Sequence, residues 1–338
     1  MSKTKKGVLL VNLGTPDSTA TGDVRKYLRE FLSDGRVVDI PALPRWMLVN
    51  LIIAPFRAPK SAEEYRKLWE ERGSPLKFYS EDVRDLLQEQ LGEDYLVVLG
   101  MRYQSPSIES ALDKLIEHDV SSIKVIPLFP QYASATSGSV MEKVMDLVKR
   151  KQIIPSISFV DQFVDHPLFA ETFADLGKAE MEKDAYDHIL FSYHGLPERQ
   201  IRKGSVGDHC KLGSCCNHLG PKNRLCYRAQ CFESSRRIAK LLNIPEDKYT
   251  VCFQSRRGRD PWVKPYTEDM VTKLAEEGVK KVLAFSPAFV SDCLETTIEV
   301  GETYAEEFVE AGGEKWTLVP SLNTNSKWID CLEDLVVK

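Results

Sequence analysis

The chain has 338 residues, enough for two domains or one large α/β domain. Its 43% apolar and 28% charged residues are typical of a globular protein, which excludes a disordered or fibrous chain. The formal net charge is -5 at pH 7 without a basic stripe, which argues against nucleic acid as the main partner.

The first apolar run, Gly7–Asn12, follows a basic N-terminus and predicts a buried strand. The run is too short for the apolar region of a signal peptide, and no cleavage site follows it. We therefore expect a cytoplasmic protein whose thiols stay reduced. Peripheral contact with the inner face of a membrane is compatible with that location.

Strand-like apolar runs alternate with helical patterns along the chain, which predicts the α/β class, with helices on both faces of parallel sheets. The predicted strands are Val8–Leu13, Tyr95–Met101, Ile123–Phe129, Ile157–Phe163, His188–Tyr193, Tyr249–Phe253, Val282–Ser286 and Trp316–Val319. The predicted helices include Ser107–Glu117, Glu233–Leu242 and Asp269–Glu277.

One very apolar segment, Leu43–Phe56, departs from this alternation. Pro44 and Pro55 bound it with ten residues between them, whereas a membrane span needs about 20, so the segment cannot cross a bilayer. One interpretation is a buried helix. The other is an exposed apolar lip that admits an apolar ligand or rests on a membrane, with Arg57 and Lys60 beside it.

Two parts of the sequence resemble each other. Lys114–Ile123 and Lys273–Val282 each lead into a strand that ends at a proline-containing turn. The similarity predicts two similar α/β domains that face each other across a cleft, although any two α/β units share this pattern. The expected bounds are 1–165 and 166–318, with 319–338 packing back on the first domain.

Several loops that follow predicted strands carry aromatic or basic side chains. Arg102 and Tyr103 follow one strand, and Arg256 lies in the loop after another. An arginine beside an aromatic ring suits a flat, anionic ligand. Tyr132 lies in the polar run Pro130–Ser139, which by itself predicts only a loop and a helix start.

His194 differs from the other histidines in its position. It directly follows the predicted strand His188–Tyr193 and precedes Gly195 and Pro197, which favour a tight turn. This pattern places an imidazole at the carboxyl end of a buried strand. A histidine at such a position is either a structural residue or a functional one.

Three acidic residues follow the predicted strand Val282–Ser286. Glu295 and Glu299 are four residues apart and share one face of a helix, with Asp292 one turn earlier. A structural explanation is a capping box formed by Asp292 and Glu295. The functional explanation is a path for a cation, because three acids on one face without basic partners otherwise repel each other.

Five of the eight cysteines lie in the segment 205–231, at Cys210, Cys215, Cys216, Cys226 and Cys231. Its glycine, asparagine, lysine and proline residues cannot form a core, so the segment needs a cross-link. Disulfides are not expected in reducing cytosol, and the paired C-x₂-C spacing of zinc sites is missing. The other cysteines, Cys252, Cys293 and Cys331, are expected to pack in the core.

Six motifs in order along the chain resemble those of the ferrochelatase family. They are Val11–Pro16, Gly73–Pro75, Leu128–Tyr132, Ser192–Pro197, Phe253–Arg256 and Ser291–Thr296. The resemblance covers essentially the whole chain. It implies two Rossmann-like domains of the class II chelatase type with a porphyrin between them, in agreement with the pattern of strands and helices.

The resemblance implies a lyase that inserts Fe²⁺ into a porphyrin, with His194 and Glu295 handling the metal and the protons. Asp292 and Glu299 would extend the path of the ion. Porphyrin and ferrous iron are then the expected partners, besides other proteins of the haem pathway. By the same resemblance, the porphyrin contacts are Leu13, Arg57, Lys60, Tyr65, Ser74, Arg102, Tyr103 and Tyr132.

Protoporphyrin IX is the expected substrate, because Leu13 stands where many Gram-positive relatives have tyrosine and because the apolar lip suits an apolar ligand. Coproporphyrin III is the alternative, as is insertion of cobalt or nickel into a related tetrapyrrole. A non-catalytic tetrapyrrole carrier would not need Asp292, Glu295 and Glu299. An iron–sulfur electron carrier would leave His194 without a purpose.

Some ferrochelatases carry a [2Fe–2S] cluster on four cysteines, in several bacteria within this internal region. The resemblance therefore implies a [2Fe–2S] cluster on four of the five clustered cysteines, with zinc or no metal as alternatives. Either Cys215 or Cys216 is the expected spare residue, because adjacent thiols rarely reach one cluster together. Iron insertion involves no redox change, so the cluster would be structural or a sensor.

Overall fold

The structure, a computed structural model, describes residues 4–258 and 260–338. These residues divide into two units. Unit 1 holds the described residues up to Phe129 together with Ala133–Asp161 and Ile329–Lys338. Unit 2 holds Pro130–Tyr132 and Gln162–Trp328. Each unit is built around one four-stranded sheet.

The sheet of unit 1 is parallel throughout and has the strand order β2-β1-β3-β4. Its strands are β1 (Lys6–Asn12), β2 (Tyr95–Met101), β3 (Ser122–Pro127) and β4 (Ser156–Phe159). Strand β1 is a continuous run of buried residues after Lys6, as a central strand covered on both faces requires.

Helices surround this sheet. They are α1 (Thr21–Ser33), α2 (Ala42–Met47), α3 (Ala54–Leu68), α4 (Pro75–Leu91), α5 (Ile108–Glu117) and α6 (Ser139–Val148), with π-helical segments at Leu48–Ile53 and Ser134–Gly138 and a 3₁₀ turn at Gly92–Asp94. Helix α5 begins where the Ser107 hydroxyl accepts a hydrogen bond from the Ser110 N–H at 3.1 Å. Its apolar face, which includes Leu112 and Leu115, packs in the core beside β1 and β3.

The sheet of unit 2 is also parallel, with the order β6-β5-β7-β8. Its strands are β5 (His188–His194), β6 (Tyr249–Gln254), β7 (Lys281–Phe285) and β8 (Lys315–Leu318). The helices are α7 (Pro167–Met181), α8 (Glu198–Lys203), α9 (Tyr227–Leu241), α10 (Thr267–Glu276) and α11 (Tyr304–Glu310), with a π-helical segment at Leu294–Thr303 and 3₁₀ turns at Ser214–Cys216 and Glu246–Lys248. The last helix, α12 (Ser326–Val337), begins in unit 2 and belongs to unit 1 from Ile329 onward.

The predicted α/β class and all eight predicted strands are confirmed. The predicted strand Ile157–Phe163 was too long, since β4 ends at Phe159. Phe163 is outside the sheet because its N–H donates to the Pro130 carbonyl at 3.1 Å. Helix α9 begins at Tyr227 and not at Glu233, because Cys226 is already its N-cap residue. The cysteine-rich segment therefore ends inside a regular helix.

The two sheets share one topology, with the first strand of each unit between its second and third. The similar sequences Lys114–Ile123 and Lys273–Val282 occupy equivalent places, since one leads into β3 and the other into β7. A π-helical segment follows each of these strands, at Ser134–Gly138 and at Leu294–Thr303. The predicted pair of similar α/β units is confirmed.

The apolar lip, Leu43–Phe56, is helical but not buried. Helix α2, the π-helical segment and α3 follow one another without a break, with Val49 and Ala54 buried. Six of its large apolar side chains are exposed, from 48% at Met47 to 79% at Phe56, and Leu48 and Ile53 are half-buried. The buried-helix interpretation is therefore wrong. Across residues 4–258 and 260–338, no helix is both long and apolar enough to span a bilayer.

Candidate functional site

His194 stands at the carboxyl end of β5, after a run of buried residues, and its side chain is half-buried. Its Nδ1 lies 2.7 Å from the Gly195 carbonyl oxygen. A carbonyl can only accept, so Nδ1 must carry the hydrogen of this bond. In the neutral ring, the lone pair is then on Nε2, the nitrogen suited to take a proton or bind a metal ion.

The backbone around His194 is held on two sides. The Tyr227 hydroxyl donates to the His194 carbonyl at 2.7 Å, and the Gly195 N–H donates to the Gln254 carbonyl at 2.8 Å. A Cβ on Gly195 would lie 2.8 Å from that same carbonyl and 3.0 Å from the Trp262 ring, so glycine is required there. The imidazole is thus attached to a fixed turn.

Gln254 connects the strand end of His194 with the acidic π-helical segment. It pairs with His194 in the sheet and is 1% exposed. Its amide accepts from the Ser192 hydroxyl at 2.6 Å and donates to the Glu295 carbonyl at 2.9 Å and to a Glu299 carboxylate oxygen at 3.2 Å. One residue therefore links the strand end of His194, through the backbone, with the Glu295 backbone and the Glu299 carboxylate, through its amide.

The Glu299 carboxylate is held by donors from three directions. Besides Gln254, the Ser255 hydroxyl donates to it at 2.5 Å and the Tyr304 hydroxyl at 3.2 Å. Ser255 has a φ of 63°, a left-handed conformation that turns the chain directly after β6. Burial and the charge of Glu299 raise the pKa of Tyr304, so this phenol remains a donor.

Glu295 lies in the first turn of the π-helical segment. The predicted capping box of Asp292 and Glu295 is wrong, since the box is formed by Cys293 and Thr296, with the Cys293 N–H donating to the Thr296 hydroxyl at 2.9 Å. The buried Cys293 thiol is hydrogen-bonded to the Glu295 side chain, and burial raises the pKa of this thiol. In a π-helix, two residues four positions apart in sequence are separated by nearly one full turn. Glu295 and Glu299 therefore lie on the same face of this segment.

The Asp292 carboxylate is hydrogen-bonded to the loop at residues 321–323. Its carboxylate accepts from the Ser321 N–H at 3.0 Å and from the Asn323 side-chain amide at 2.7 Å. The Asp292 N–H donates in turn to the Asn323 side chain at 2.9 Å. These contacts make Asp292 a brace for residues 321–323, and its part in an ion path stays a prediction.

In unit 1, Arg102 and Tyr103 are engaged within the protein. Arg102 forms an ion pair with Asp34 at 2.6 Å, with side chains 14% and 4% exposed, and its guanidinium lies 4.6 Å from the centre of the Tyr103 ring. Tyr103 is fully buried and donates to Asp34 at 2.9 Å. Burial raises the pKa of Asp34, but hydrogen bonds from Ser139 and Arg36 and the charge of Arg102 outweigh it and lower this pKa overall.

Three other predicted porphyrin contacts are buried or half-buried in unit 1. The Ser74 hydroxyl accepts from Thr15 at 3.0 Å and is buried. Tyr65 is buried edge-on against the Tyr27 ring, 6.3 Å between centroids. Leu13 is half-buried just after β1. As placed here, Ser74 and Tyr65 contribute to packing.

The remaining predicted contacts are more accessible. Arg57 and Lys60 are exposed on α3, next to the apolar lip. Tyr132 belongs to unit 2 and is half-buried, with its N–H donating to the Gln230 side chain at 2.6 Å. Of all the predicted porphyrin contacts, Tyr132 alone therefore lies in the same unit as His194.

Known proteins resemble this chain over nearly its whole length. A model of the ferrochelatase family matches residues 5–338. This chain belongs to the ferrochelatase family. A ferrochelatase of Legionella pneumophila (strain Lens) is 43% identical over 332 residues, covering 98% of this chain and 98% of the relative. A ferrochelatase of Coxiella burnetii (strain Dugway 5J108-111) is 43% identical over 339 residues, covering 99% of this chain and 94% of the relative.

Ferrochelatase membership supports insertion of a metal ion into a porphyrin for haem synthesis. Among solved structures, SirB from Bacillus subtilis with Fe³⁺ has a TM-score of 0.52 at 11% identity, covering 98% of this chain and 94% of SirB. A cobalt complex of the sirohydrochlorin chelatase SirB has a TM-score of 0.50 at 11% identity, covering 98% and 93%. At this identity the likeness concerns the fold alone, and it confirms the chelatase type of fold.

Some residues that contact Glu299 lie within the ferrochelatase motifs, but the motifs do not indicate these contacts. Gln254 and Ser255 belong to the motif Phe253–Arg256, but only the structure places them against Glu299. The sequence does indicate that Gln254 lies near His194, because both residues stand at the carboxyl ends of strands in one parallel sheet. Tyr227 is in a helix distant in sequence from His194, and no sequence pattern connects the two. Tyr304 directly follows the π-helical segment of Glu295 and Glu299, but its hydrogen bond to Glu299 is not evident from the sequence.

The clustered cysteines of this ferrochelatase lie close together in pairs. The Cys215 and Cys216 sulfurs are 3.8 Å apart, and the Cys216 thiol is hydrogen-bonded to Cys226. Cys210 is half-buried and lies within electrostatic range of Cys226. Among the described residues, no three His, Cys, Asp or Glu side chains converge as ligands of one metal ion.

This thiol arrangement fits a two-iron cluster. A [2Fe–2S] cluster takes four cysteine thiolates, so its ligands form two pairs and do not converge on one point. Tetrahedral metal–sulfur bonds of about 2.3 Å place two sulfurs on one metal about 3.8 Å apart. The separation between Cys215 and Cys216 has this value.

Proposed function

We propose that this protein is a protoporphyrin ferrochelatase, a lyase that inserts Fe²⁺ into protoporphyrin IX and releases two protons to give protohaem. The observation that carries the proposal is the position of Gln254, which pairs with His194 through the backbone of the sheet and whose buried amide donates to the Glu295 backbone carbonyl and to the Glu299 carboxylate. Neutral imidazole and carboxylates together suit a reaction in which protons leave as a divalent cation arrives.

The proton step falls to His194. A free porphyrin carries two N–H protons, and both must leave before Fe²⁺ takes their place. The hydrogen bond from Nδ1 to the Gly195 carbonyl leaves the Nε2 lone pair free to accept one proton at a time. The imidazole stays protonated on Nδ1 because the Gly195 carbonyl oxygen can only accept a hydrogen bond.

The iron step falls to the acidic face. Glu295 and Glu299 provide oxygen ligands, and His194 provides a nitrogen ligand, for Fe²⁺ as a substrate. A transfer site must release the ion into the ring, so an open set of a few ligands serves better than a closed site of four. Glu299 is oriented by Gln254, Ser255 and Tyr304, which fixes one side of this path.

The choice of protoporphyrin IX rests on unit 1. Leu13 offers an apolar side chain after β1, and the apolar lip exposes a surface that suits an apolar macrocycle. Arg57 and Lys60 on α3 provide positive charge for the propionates. Coproporphyrin III carries more carboxylates and gains less from such a surface.

The cysteine segment, 205–231, is proposed to bind a [2Fe–2S] cluster. When bound, the cluster cross-links a segment that is too polar to form its own core, and it takes no part in metal insertion, which changes no oxidation state. The polar segment is attached to α9, whose first residue Tyr227 contacts His194. The presence or loss of the cluster can therefore influence the His194 backbone through α9.

We also place the protein in the cytoplasm with peripheral contact to a membrane. The exposed apolar side chains of the lip lie on one helical stretch beside Arg57 and Lys60. Such a combination suits the interface of an anionic bilayer, where apolar groups enter and basic groups meet head groups.

An anaerobic assay with Fe²⁺ and either protoporphyrin IX or coproporphyrin III tests the proposal. The visible spectrum should lose the free-porphyrin bands and gain metalloporphyrin bands with protoporphyrin IX. Faster turnover with coproporphyrin III would overturn the substrate assignment. Porphyrin binding without turnover on either substrate would identify a carrier, and turnover with Co²⁺ or Ni²⁺ alone would identify another chelatase.

A further inference from the structure

We propose that Cys210, Cys215, Cys216 and Cys226 are the four cluster ligands and that Cys231 is a core residue. This inference rests on the proposed cofactor, and it reverses the expectation that Cys215 or Cys216 is the spare residue. Cys216 and Cys231 are both buried, so the distinction rests on the kind of chain that carries the five cysteines and on the groups their thiols meet.

Cys231 is enclosed on all sides. It is 0% exposed in the interior of α9, and its thiol is hydrogen-bonded to the Tyr227 side chain. Burial also raises the pKa of Tyr227 and so keeps that phenol protonated. A cluster at Cys231 would have to displace this contact and enter the packed core of unit 2. Close packing makes such an insertion costly.

The regular helix separates Cys231 from Cys226. Residues five apart on an α-helix are rotated by about 140° about its axis, so their side chains leave in different directions. Cys226 is the N-cap residue, outside the first turn, and it is half-buried. Cys231 lies near Cys216 in space, but it is fixed on the inner side of α9.

The other four thiols belong to the chain before α9 and meet one another. Cys215 and Cys216 are in a short 3₁₀ turn, where both sulfurs lie on the same side at 3.8 Å. Cys216 is hydrogen-bonded to Cys226, and the N–H of Lys211, the residue after Cys210, donates to the Cys215 sulfur at 3.2 Å. Adjacent cysteines are therefore compatible with a shared cluster in this turn, because the backbone does not direct their side chains apart.

Asn223 holds the chain around Cys215 and Cys226 by hydrogen bonds that need no metal. Its side-chain amide donates to the Cys215 and His218 carbonyls, both at 2.8 Å, and accepts from the Gly220 N–H at 2.7 Å. The Cys226 N–H donates to the Asn223 carbonyl at 2.8 Å. One residue thus positions two of the proposed ligands.

Two positively charged features lie beside these thiols. The Arg228 side chain is hydrogen-bonded to Cys216, and Cys226 stands at the N-terminus of the 15-residue helix α9. A cation and a helix N-terminus both stabilise the negative charge of cysteine ligands. Cys231 lies deeper in the same helix, away from its N-terminal N–H groups.

The test uses the full chain purified without oxygen, with each of the five cysteines changed to alanine in turn. Cys252→Ala is the matched control, because Cys252 is also fully buried but lies in β6. Iron and acid-labile sulfide content, visible absorption and the electron paramagnetic resonance signal after reduction are measured. Far-UV circular dichroism reports folding.

We expect Cys231→Ala and Cys252→Ala to keep about two irons and two sulfides per chain with the wild-type spectra. Alanine at Cys210, Cys215, Cys216 or Cys226 should remove the cluster. If Cys216→Ala does not fold, Cys216→Ser should fold and show shifted absorption, because a serine oxygen replaces sulfur on iron.

A folded Cys231→Ala chain without a cluster would overturn the proposal, as would a normal cluster in any of the four ligand variants. Zinc in place of iron, or no metal in the wild type, would overturn it as well. The outcome is separate from that of the proposed reaction. A chain without a cluster that inserts iron contradicts only the cluster, and a cluster-bearing chain without insertion contradicts only the reaction.

Discussion

The Tyr227 hydroxyl donates a hydrogen bond to the His194 carbonyl oxygen at 2.7 Å. Tyr227 directly follows Cys226 and is the first residue of α9. One side chain therefore connects the end of the cysteine segment with the strand end that carries the proposed proton acceptor. Any shift of α9 at its first turn is transmitted to the His194 backbone.

Tyr227→Phe should lower kcat while leaving the KM for porphyrin nearly unchanged. The phenyl ring preserves the packing, while the bond that positions His194 and the contact of the hydroxyl with the Cys231 thiol are lost. A hydrogen bond is worth about 1 kcal/mol, so a loss of several-fold to about 10-fold is expected. The pH profile of kcat should shift, because the imidazole changes its surroundings.

Tyr186→Phe is the control for this change. It removes a hydroxyl that donates to Thr317 at 3.0 Å, which lies away from His194. Its kcat and pH profile should match the wild type. A Tyr227→Phe enzyme with unchanged kcat and pH profile would show that this bond does not position His194.

His194→Ala should abolish metal insertion and leave porphyrin binding largely intact. General-base catalysis contributes about 10²–10⁴-fold, and His194 is also a proposed iron ligand, so the loss should reach the upper part of this range. Porphyrin fluorescence quenching measures binding, and the anaerobic assay measures insertion. His188→Ala, at the other end of β5, is the control. Insertion retained by His194→Ala would contradict the mechanism.

Glu295→Gln should reduce turnover severely and raise the KM for Fe²⁺ by about 10-fold or more, since a lost contact to a charged group costs about 1.5–3 kcal/mol. The amide has nearly the same shape, so the fold should not change. Glu302→Gln lies in the same π-helical segment but is exposed, and it should behave as wild type. Equal effects of the two substitutions would indicate a general effect of charge.

The sequence predicts the position of His194 and the acidic face, because strand ends follow from apolar runs and helix faces follow from spacing. It does not predict the hydrogen bonds among Gln254, Ser255 and Glu299, because these depend on how β6 and the π-helical segment meet. The capping box was misassigned for the same reason. Asp292 has the right spacing for a cap, but Ser321 and Asn323 occupy its oxygens.

Arg102 and Tyr103 show a second limit. An arginine beside a tyrosine indicated a ligand surface, and the arginine does stack on the ring. The stacked pair faces Asp34, a partner from α1's C-cap that no local pattern connects with residues 102 and 103. The sequence gives the chemistry of such a pair, whereas the fold decides whether the partner is a ligand or the protein itself.

Asp34→Asn should lower the free energy of unfolding at pH 7 by about 3 kcal/mol, because it leaves Arg102 buried without its charged partner. The pKa of Asp34 is lowered in the folded state. Its contribution is therefore fully present above the unfolded pKa of about 3.9 and is lost as the pH falls through the folded pKa.

Urea unfolding at pH 7, 5 and 3 tests this prediction. The difference between wild type and Asp34→Asn should be the same at the two higher values and smaller at pH 3. Asp17→Asn, which removes a surface pair with Lys26, should change stability little at any pH. A larger difference in the free energy of unfolding between the two proteins at pH 3 than at pH 7 would contradict the lowered pKa of Asp34.

Glutamate at Trp46 and Phe56 of the apolar lip should weaken binding to anionic vesicles. Both side chains are exposed, and burying a large apolar side chain is worth about 1.5–3 kcal/mol, so the two changes should reduce binding by about 10-fold or more. Flotation with phosphatidylserine vesicles at low salt measures the bound fraction, and neutral vesicles show how much depends on Arg57 and Lys60. Val309→Glu, an exposed apolar position on α11, is the matched control and should float like the wild type. Equal flotation of all three proteins would remove the membrane from the proposal and leave the lip as a surface for the porphyrin alone.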